Sequence, residues 1–226
     1  MANLGQWLRP ALMVPKTSWS AKESNWKVSP KTFLVLVLGL WLFGTGEAFL
    51  INASLGQSPW TVLADGLAQT LNMTIGQTTF LTSVIVLLLW IPLKRKPGLG
   101  TVMNILVIAV AIDVMIPILP SPESVVAQTA QVLFGILLTG IASALYITCN
   151  VGAGPRDGLM TGLNERTGVR VGRVRTGIEV VVLAIGWLLG GVVGVGTLLF
   201  ALLIGQSVAI SFGLVARISP HTERQD

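Results

Sequence analysis

The sequence predicts an all-α polytopic membrane protein: six transmembrane helices as two inverted three-helix repeats, each with a short interfacial or re-entrant helix. Three observations carry that prediction. The chain of 226 residues is 52% hydrophobic and only 11% charged, where soluble domains are about a quarter charged, and its mean hydropathy is +0.76. Six spans drawn across the apolar runs leave every Lys and Arg on one side. The chain also matches itself at an offset of 96 residues.

Residues 1–31 are polar and broken by Pro10, Pro15 and Pro30. Trp7, Trp19 and Trp26 alternate there with Lys16, Lys22, Lys27 and Lys31. That mixture suits a tail at the headgroup level, or simple disorder. No cleavable signal is expected in it. Six apolar runs follow, over about 33–53, 76–93, 101–119, 128–149, 173–193 and 197–215. Each approaches the ~20 residues that a helix needs to cross the hydrocarbon core.

Two further stretches, 58–71 and 154–167, are shorter and amphipathic. At ~1.5 Å per residue neither crosses alone. Pro59 and Pro155 stand where a first helical turn favours proline. Asn72 and Gly168 stand where a left-handed C-terminal cap is wanted.

Charge sets the topology. With the N-terminus in the cytoplasm, the inside segments are 1–31, 94–97, 150–176 and 216–226, and all 15 Lys and Arg fall there. The outer segments keep Asp65 and Glu123. The net charge of +5 is therefore read as a mark of the cytoplasmic face, and no nucleic-acid partner is expected. The organisation is a cytoplasmic tail (1–31), repeat 1 (32–119), repeat 2 (120–216) and a second cytoplasmic tail (217–226).

The repeat is clearest in its glycines. Gly44, Gly56, Gly66, Gly76, Gly98 and Gly100 fall on Gly140, Gly152, Gly162, Gly172, Gly194 and Gly196. Chance would pair about 1.6 of them. Pro59 falls on Pro155, Leu63 on Leu159 and Thr101 on Thr197. Each unit holds an odd number of spans, so the second enters the membrane from the opposite side. Inverted repeats of this kind are common among secondary transporters, whose sites form at the repeat interface.

The motifs Gly152-Ala-Gly-Pro-Arg-Asp-Gly-Leu159, Arg173-Val-Arg-Thr-Gly-Ile-Glu179 and Gly186-Trp-Leu-Leu-Gly-Gly-Val-Val-Gly-Val-Gly-Thr197 resemble the YczE-like (YczE/YyaS/YitT-type) bacterial integral membrane proteins. Leu55-Gly-Gln-Ser-Pro-Trp60 and Pro97-Gly-Leu-Gly-Thr101 add to the match, which covers about 33–215. The resemblance implies a multi-pass protein of the bacterial inner membrane. It brings no substrate, cofactor or site residue.

Candidate site residues come from the polar groups inside apolar surroundings. Glu47, Asp113 and Glu179 fall within the expected spans. A buried acid in a membrane faces a partner or a wet cavity. Glu179 follows Arg175 by four residues, so the two lie on one helix face as an ion pair. Arg156 and Asp157 open the second short helix, where Asp suits the helix dipole and Arg adds to an anion site. Their counterparts are Trp60 and Thr61. The expected pathway is lined by Glu47, Asp113, Pro59, Trp60, Pro155, Arg156, Asp157 and Glu179.

Gly154, Gly158 and Gly162, and again Gly186, Gly190 and Gly194, recur every four residues as packing faces. The second stripe offers a face for a homodimer. One Cys (Cys149) and one His (His221) exclude a disulfide framework and a Cys/His metal cluster. No nucleophile–base pair, phosphate loop or metal-ligand spacing is found, so neither an enzyme nor a cofactor is expected. The leading expectation is a small-molecule or ion transporter or exporter, with proton coupling through one of the acids. The alternatives are a membrane accessory protein that binds lipid, and the substrate-binding subunit of a larger transporter.

Overall fold

The computed structural model describes residues 14–21 and 25–219. It is all-helical among the described residues, with eight helices. They are α1 (Pro30–Ala53), α2 (Pro59–Leu71), α3 (Ile75–Leu88), α4 (Leu99–Met115), α5 (Val125–Thr148), α6 (Pro155–Thr167), α7 (Val171–Leu188) and α8 (Val195–Ile218).

Local chemistry explains most of the ends. Ser29 caps α1 through its side chain, with Pro30 in the first turn. Ser124 caps α5 in the same way. Thr74 and Gln77 form a reciprocal capping box at α3. Pro59 and Pro155 open α2 and α6, and Asn72 and Gly168 close them in the left-handed conformation. The expected Pro and cap positions are therefore met on both short helices.

α1 and α5 form the central pair, with α4 along α1 and α8 along α5. Their crossing is tight because Gly46 lies against Thr139 and the Gly135 carbonyl. Lipid supplies no hydrophobic drive between helices, so close backbone approach through small residues is what holds them. α2 packs on α7 and α3, and α6 packs on α3 and α7.

Two apolar clusters sit in the α1, α4, α5 and α8 layer. One holds Leu36, Leu40, Ile108, Ile112 and Tyr146; the other holds Leu50, Val132, Ile136 and Ile204, with Val208 against it. These positions pair across the clusters at the 96-residue offset. A third cluster, around Trp60, Trp90, Leu159 and Met160, joins the short helices to α3 and α7.

The joints follow the same offset. Gly56 (φ 109°) and Gly152 (φ 114°) have backbones that side chains rarely adopt. Gly56 abuts Gly194, and Gly152 abuts Gly98. The Gly196 amide donates to the Leu55 carbonyl at 2.7 Å, and the Gly100 amide to the Val151 carbonyl at 2.8 Å.

Three helices are long and apolar enough to cross a membrane: α1, α5 and α8. The count is four when α2 and α3, bent by 113° at their junction, are taken as one broken span. The same pair also has the form of a re-entrant loop. Against the six expected runs, α3, α4 and α7 are short, at 14, 17 and 18 residues. α3 gives way to turns before Pro92, and α4 stops before Pro117. α7 carries Arg173, Arg175 and Glu179.

Within the expected N-terminal tail, residues 17–21 are held against the helix ends. Trp19 donates its indole N–H to Thr148 at 3.0 Å, and Ala21 donates its amide to the Cys149 carbonyl at 2.9 Å. Ser18 and Ser219 hydroxyls meet at 2.6 Å. Residues 17–21 thus strap the ends of α1, α5 and α8. Trp7, Arg9, Lys22, His221 and Arg224 lie outside the described residues.

Candidate site: a polar cavity where the short helices meet

The first turns of α2 and α6 approach one another in the interior. The Arg156 guanidinium stacks over the Trp60 ring, 4.9 Å from its centroid. Residues 60 and 156 are counterparts at the 96-residue offset, so this contact joins two positions that the self-match pairs.

Around it lies a cavity of about 140 Å³. Most of its lining falls in such pairs: Phe43 and Thr139, Glu47 and Ser143, Ser58 and Gly154, Trp60 and Arg156, Thr79 and Arg175, Ser83 and Glu179, Asn104 and Phe200, Ile108 and Ile204. Tyr146, Asp157 and Met160 are also present. Within most pairs the two members differ in chemistry. The cavity therefore has unlike halves although its positions pair at the 96-residue offset.

Glu47 is the most deeply set acid, only 1% exposed on α1. Its Oε2 accepts from Ser58 Oγ at 2.8 Å and from Thr61 Oγ1 at 2.7 Å. Its Oε1 has no hydrogen-bond partner. Ser58 and Thr61 are delivered by the start of α2, because Gly56 turns the chain back beneath Glu47. Arg156 lines the cavity together with Glu47 and Asp157. Asp157 Oδ2 accepts from the Tyr146 hydroxyl at 3.1 Å. Arg175 Nε and Glu179 Oε1 form the i, i+4 pair at 2.8 Å.

Among the described residues, four of the five buried side-chain polar atoms without a partner belong to this lining: Glu47 Oε1, Trp60 Nε1, Thr79 Oγ1 and Thr139 Oγ1. Buried polar atoms are normally paired. Their concentration in one place separates this cavity from ordinary packing.

The expected pathway residues divide accordingly. Glu47, Pro59, Trp60, Arg156, Asp157 and Glu179 line the cavity. Pro155 lies just beside it, its carbonyl accepting from Trp90 Nε1 at 3.0 Å. Asp113 stands apart, at the start of α3. It accepts from Thr74 Oγ1 at 2.6 Å and from the Gly76 amide at 2.8 Å. A carboxylate there satisfies free N-terminal groups of a helix and suits its dipole.

Asp65, expected in an outer segment, is buried. Gln57, Gln69 and the Val192 amide all donate to it. It ties α2 to the α7–α8 connection. The small-residue stripes are also used within the chain. Gly158 lies against Trp90, and Gly186 against Val62 and Leu63 of α2. The second stripe is thus not a free face.

Sequence reasoning did not single out Ser58, Thr79, Thr139, Ser143 or Tyr146 for the cavity. Tyr146 is the one Tyr of the chain, set in an apolar run, and that oddity was a usable signal. Isolated Ser and Thr in a span were not, because they also bond to their own helix, as Thr45 does to Trp41. Among the described residues, no three His, Cys, Asp or Glu side chains are grouped as a metal site would need.

Comparison with known proteins agrees with the motifs. Residues 30–212 match the model of a family of unknown function, DUF6198. The chain is 44% identical over 209 residues to an uncharacterized protein of Haemophilus influenzae, covering 92% of this chain and 95% of that one. It is 33% identical over 175 residues to the uncharacterized membrane protein YczE of Bacillus subtilis, covering 76% and 81%. It is 24% identical over 184 residues to the uncharacterized protein YyaS of the same organism, covering 80% and 92%. No solved structure matches.

Proposed function

Because this chain belongs to the YczE-like family described by DUF6198, and is a membrane protein, we propose that it is a secondary transporter whose solute site is the cavity between α2 and α6. It works as a carrier, not as an enzyme. It spans the bacterial inner membrane six times as two inverted repeats, with both termini in the cytoplasm.

The observation that carries this reading is the cavity itself. It is built from positions that pair at the repeat offset, and its unpartnered polar atoms are set among apolar helices. Irregular backbone and ionisable groups at membrane depth are tolerated where they line a cavity. Two broken, Pro-started segments meeting at a repeat interface are the arrangement from which transporter sites are made.

The two halves are not packed alike, which supplies the asymmetry a carrier needs. α3 lies along α4, while α7 has no comparable packing on α8. Gly76 is enclosed by Ala109 and Asp113, but nothing lies within 4 Å of a side chain built at its counterpart Gly172. Asp113 itself has Ala209 as counterpart. The α3–α4 side is thus clamped, whereas α7 is held on α2 and lacks such a clamp on α8.

The test is solute flux into sealed vesicles that contain the purified protein, with and without a proton gradient. Saturable flux that falls at least ten-fold in Glu47→Gln supports the reading. Tight binding of lipid with no flux of any solute overturns it in favour of a lipid-binding accessory protein.

A further inference from the structure

We infer that the cavity takes a small zwitterionic solute, one that carries an ammonium group and a carboxylate on a short carbon frame. The inference deepens the transporter reading and rests on the same cavity.

Five charged side chains line the cavity, and three of them are already engaged. Arg175 and Glu179 hold each other at 2.8 Å. Asp157 accepts from Tyr146 at 3.1 Å. Glu47 and Arg156 stand out among the five for different reasons. Glu47 Oε1 is buried and unpartnered, and as a carboxylate it can only accept. Arg156 is stacked on Trp60 and makes no hydrogen bond or ion pair among the described residues, so its planar fork of N–H donors is unused.

Glu47 and Arg156 line the same cavity, yet they form no ion pair. No direct contact joins the buried, unpartnered acceptor of Glu47 to the donor fork of Arg156. A guanidinium fork fits a carboxylate with two parallel bonds. A carboxylate oxygen fits an ammonium.

Charge excludes the one-sign alternatives. A lone anion at Arg156 enters a lining that already holds Glu47, Asp157 and Glu179, and like charges at short range are costly in a low dielectric. A lone cation at Glu47 leaves the donors of Arg156 and the indole N–H of Trp60 unanswered. A zwitterion answers both ends and adds no net charge. Thr79 and Thr139 hydroxyls, also unpartnered, give or accept along the frame.

Size agrees. A water occupies about 30 Å³ in the liquid, so a cavity of about 140 Å³ holds a solute of a few heavy atoms.

Calorimetric titration of the full chain in lipid nanodiscs tests the inference. The ligands are glycine, β-alanine and 4-aminobutyrate, with acetate and methylammonium as the single-charge halves. At least one zwitterion is expected to bind ten-fold or more tightly than either half. Glu47→Gln and Arg156→Gln are each expected to weaken it at least ten-fold, while Glu123→Gln, exposed and outside the cavity, leaves it unchanged. Thermal unfolding and gel filtration show whether the variants are folded. If Glu47→Gln is not, Arg156→Lys carries the test: it keeps the charge, loses the fork and should weaken the zwitterion selectively.

Acetate or methylammonium binding as tightly as the best zwitterion overturns the inference. So does wild-type protein that binds none of the three, or zwitterion binding that survives the Glu47 and Arg156 substitutions. Zwitterion binding without flux into sealed vesicles leaves the ligand class standing and sinks transport. Flux of another solute without zwitterion binding does the reverse.

Discussion

Two acids with similar sequence surroundings have different duties. Glu47 and Asp113 both sit in apolar runs, and neither has a basic neighbour nearby in the chain. Glu47 lies under the start of α2 with one oxygen unpartnered, whereas both oxygens of Asp113 are bonded at the start of α3. Their substitutions should therefore separate. Asp113→Ala leaves a helix amide and a Thr hydroxyl without their acceptor, which costs about 1–3 kcal/mol. Thermal unfolding in detergent should show that loss, and flux per folded molecule should stay near wild type. Glu47→Gln should unfold close to wild type and lose transport. Flux lost in Asp113→Ala and kept in Glu47→Gln would reverse the assignment.

At the scale of the element, the two short helices depend on the turns before them. Gly56 and Gly152 each hold a positive φ, and each abuts a glycine backbone across the joint. An alanine at either place meets both strain and contact. Strain in a sparsely populated region costs about 1–3 kcal/mol, so Gly56→Ala and Gly152→Ala should each lower the unfolding temperature. Because Gly56 aims Ser58 and Thr61 at Glu47, Gly56→Ala should also weaken solute binding more than a loss of stability alone explains. Binding measured on the folded fraction is the check. Unchanged affinity there would show that the turn is only structural.

For the whole molecule, topology and motion are the testable features. Cysteines at Asn72 and Glu123 should react with an impermeant reagent added outside intact cells. Cysteines at Lys96 and Arg170 should react only after lysis. All four positions are exposed, unlike Asp65, so access reports the side of the membrane. Labelling of Lys96 or Arg170 from outside would break the six-span arrangement. Motion is expected at α7, because the Asp113 clamp has Ala209 for its counterpart. Ala209→Asp supplies an acceptor at the position that pairs with Asp113, for the first turn of α7 to meet when α7 closes on α8. It should slow flux several-fold and raise the unfolding temperature; faster flux would count against α7 as the mobile element.

Much of this was legible in the chain. The apolar runs declare lipid as the solvent, since a charged group in hydrocarbon is too costly to scatter at random. Proline and left-handed caps mark the short helices because backbone geometry is a local matter. The self-match at 96 residues predicts which positions are equivalent, and the Arg175–Glu179 pair follows from helical spacing alone. Equivalence does not say what touches what. That Trp60 meets Arg156, that Glu47 gains Ser58 and Thr61 while Asp113 caps a helix, and that Asp65 is buried are contacts between segments far apart in the chain. They depend on how far α2 and α6 reach inward and on which glycines let backbones close. Charge and polarity could nominate the groups, but only the packed structure decides which of them keep a polar atom unsatisfied in a cavity.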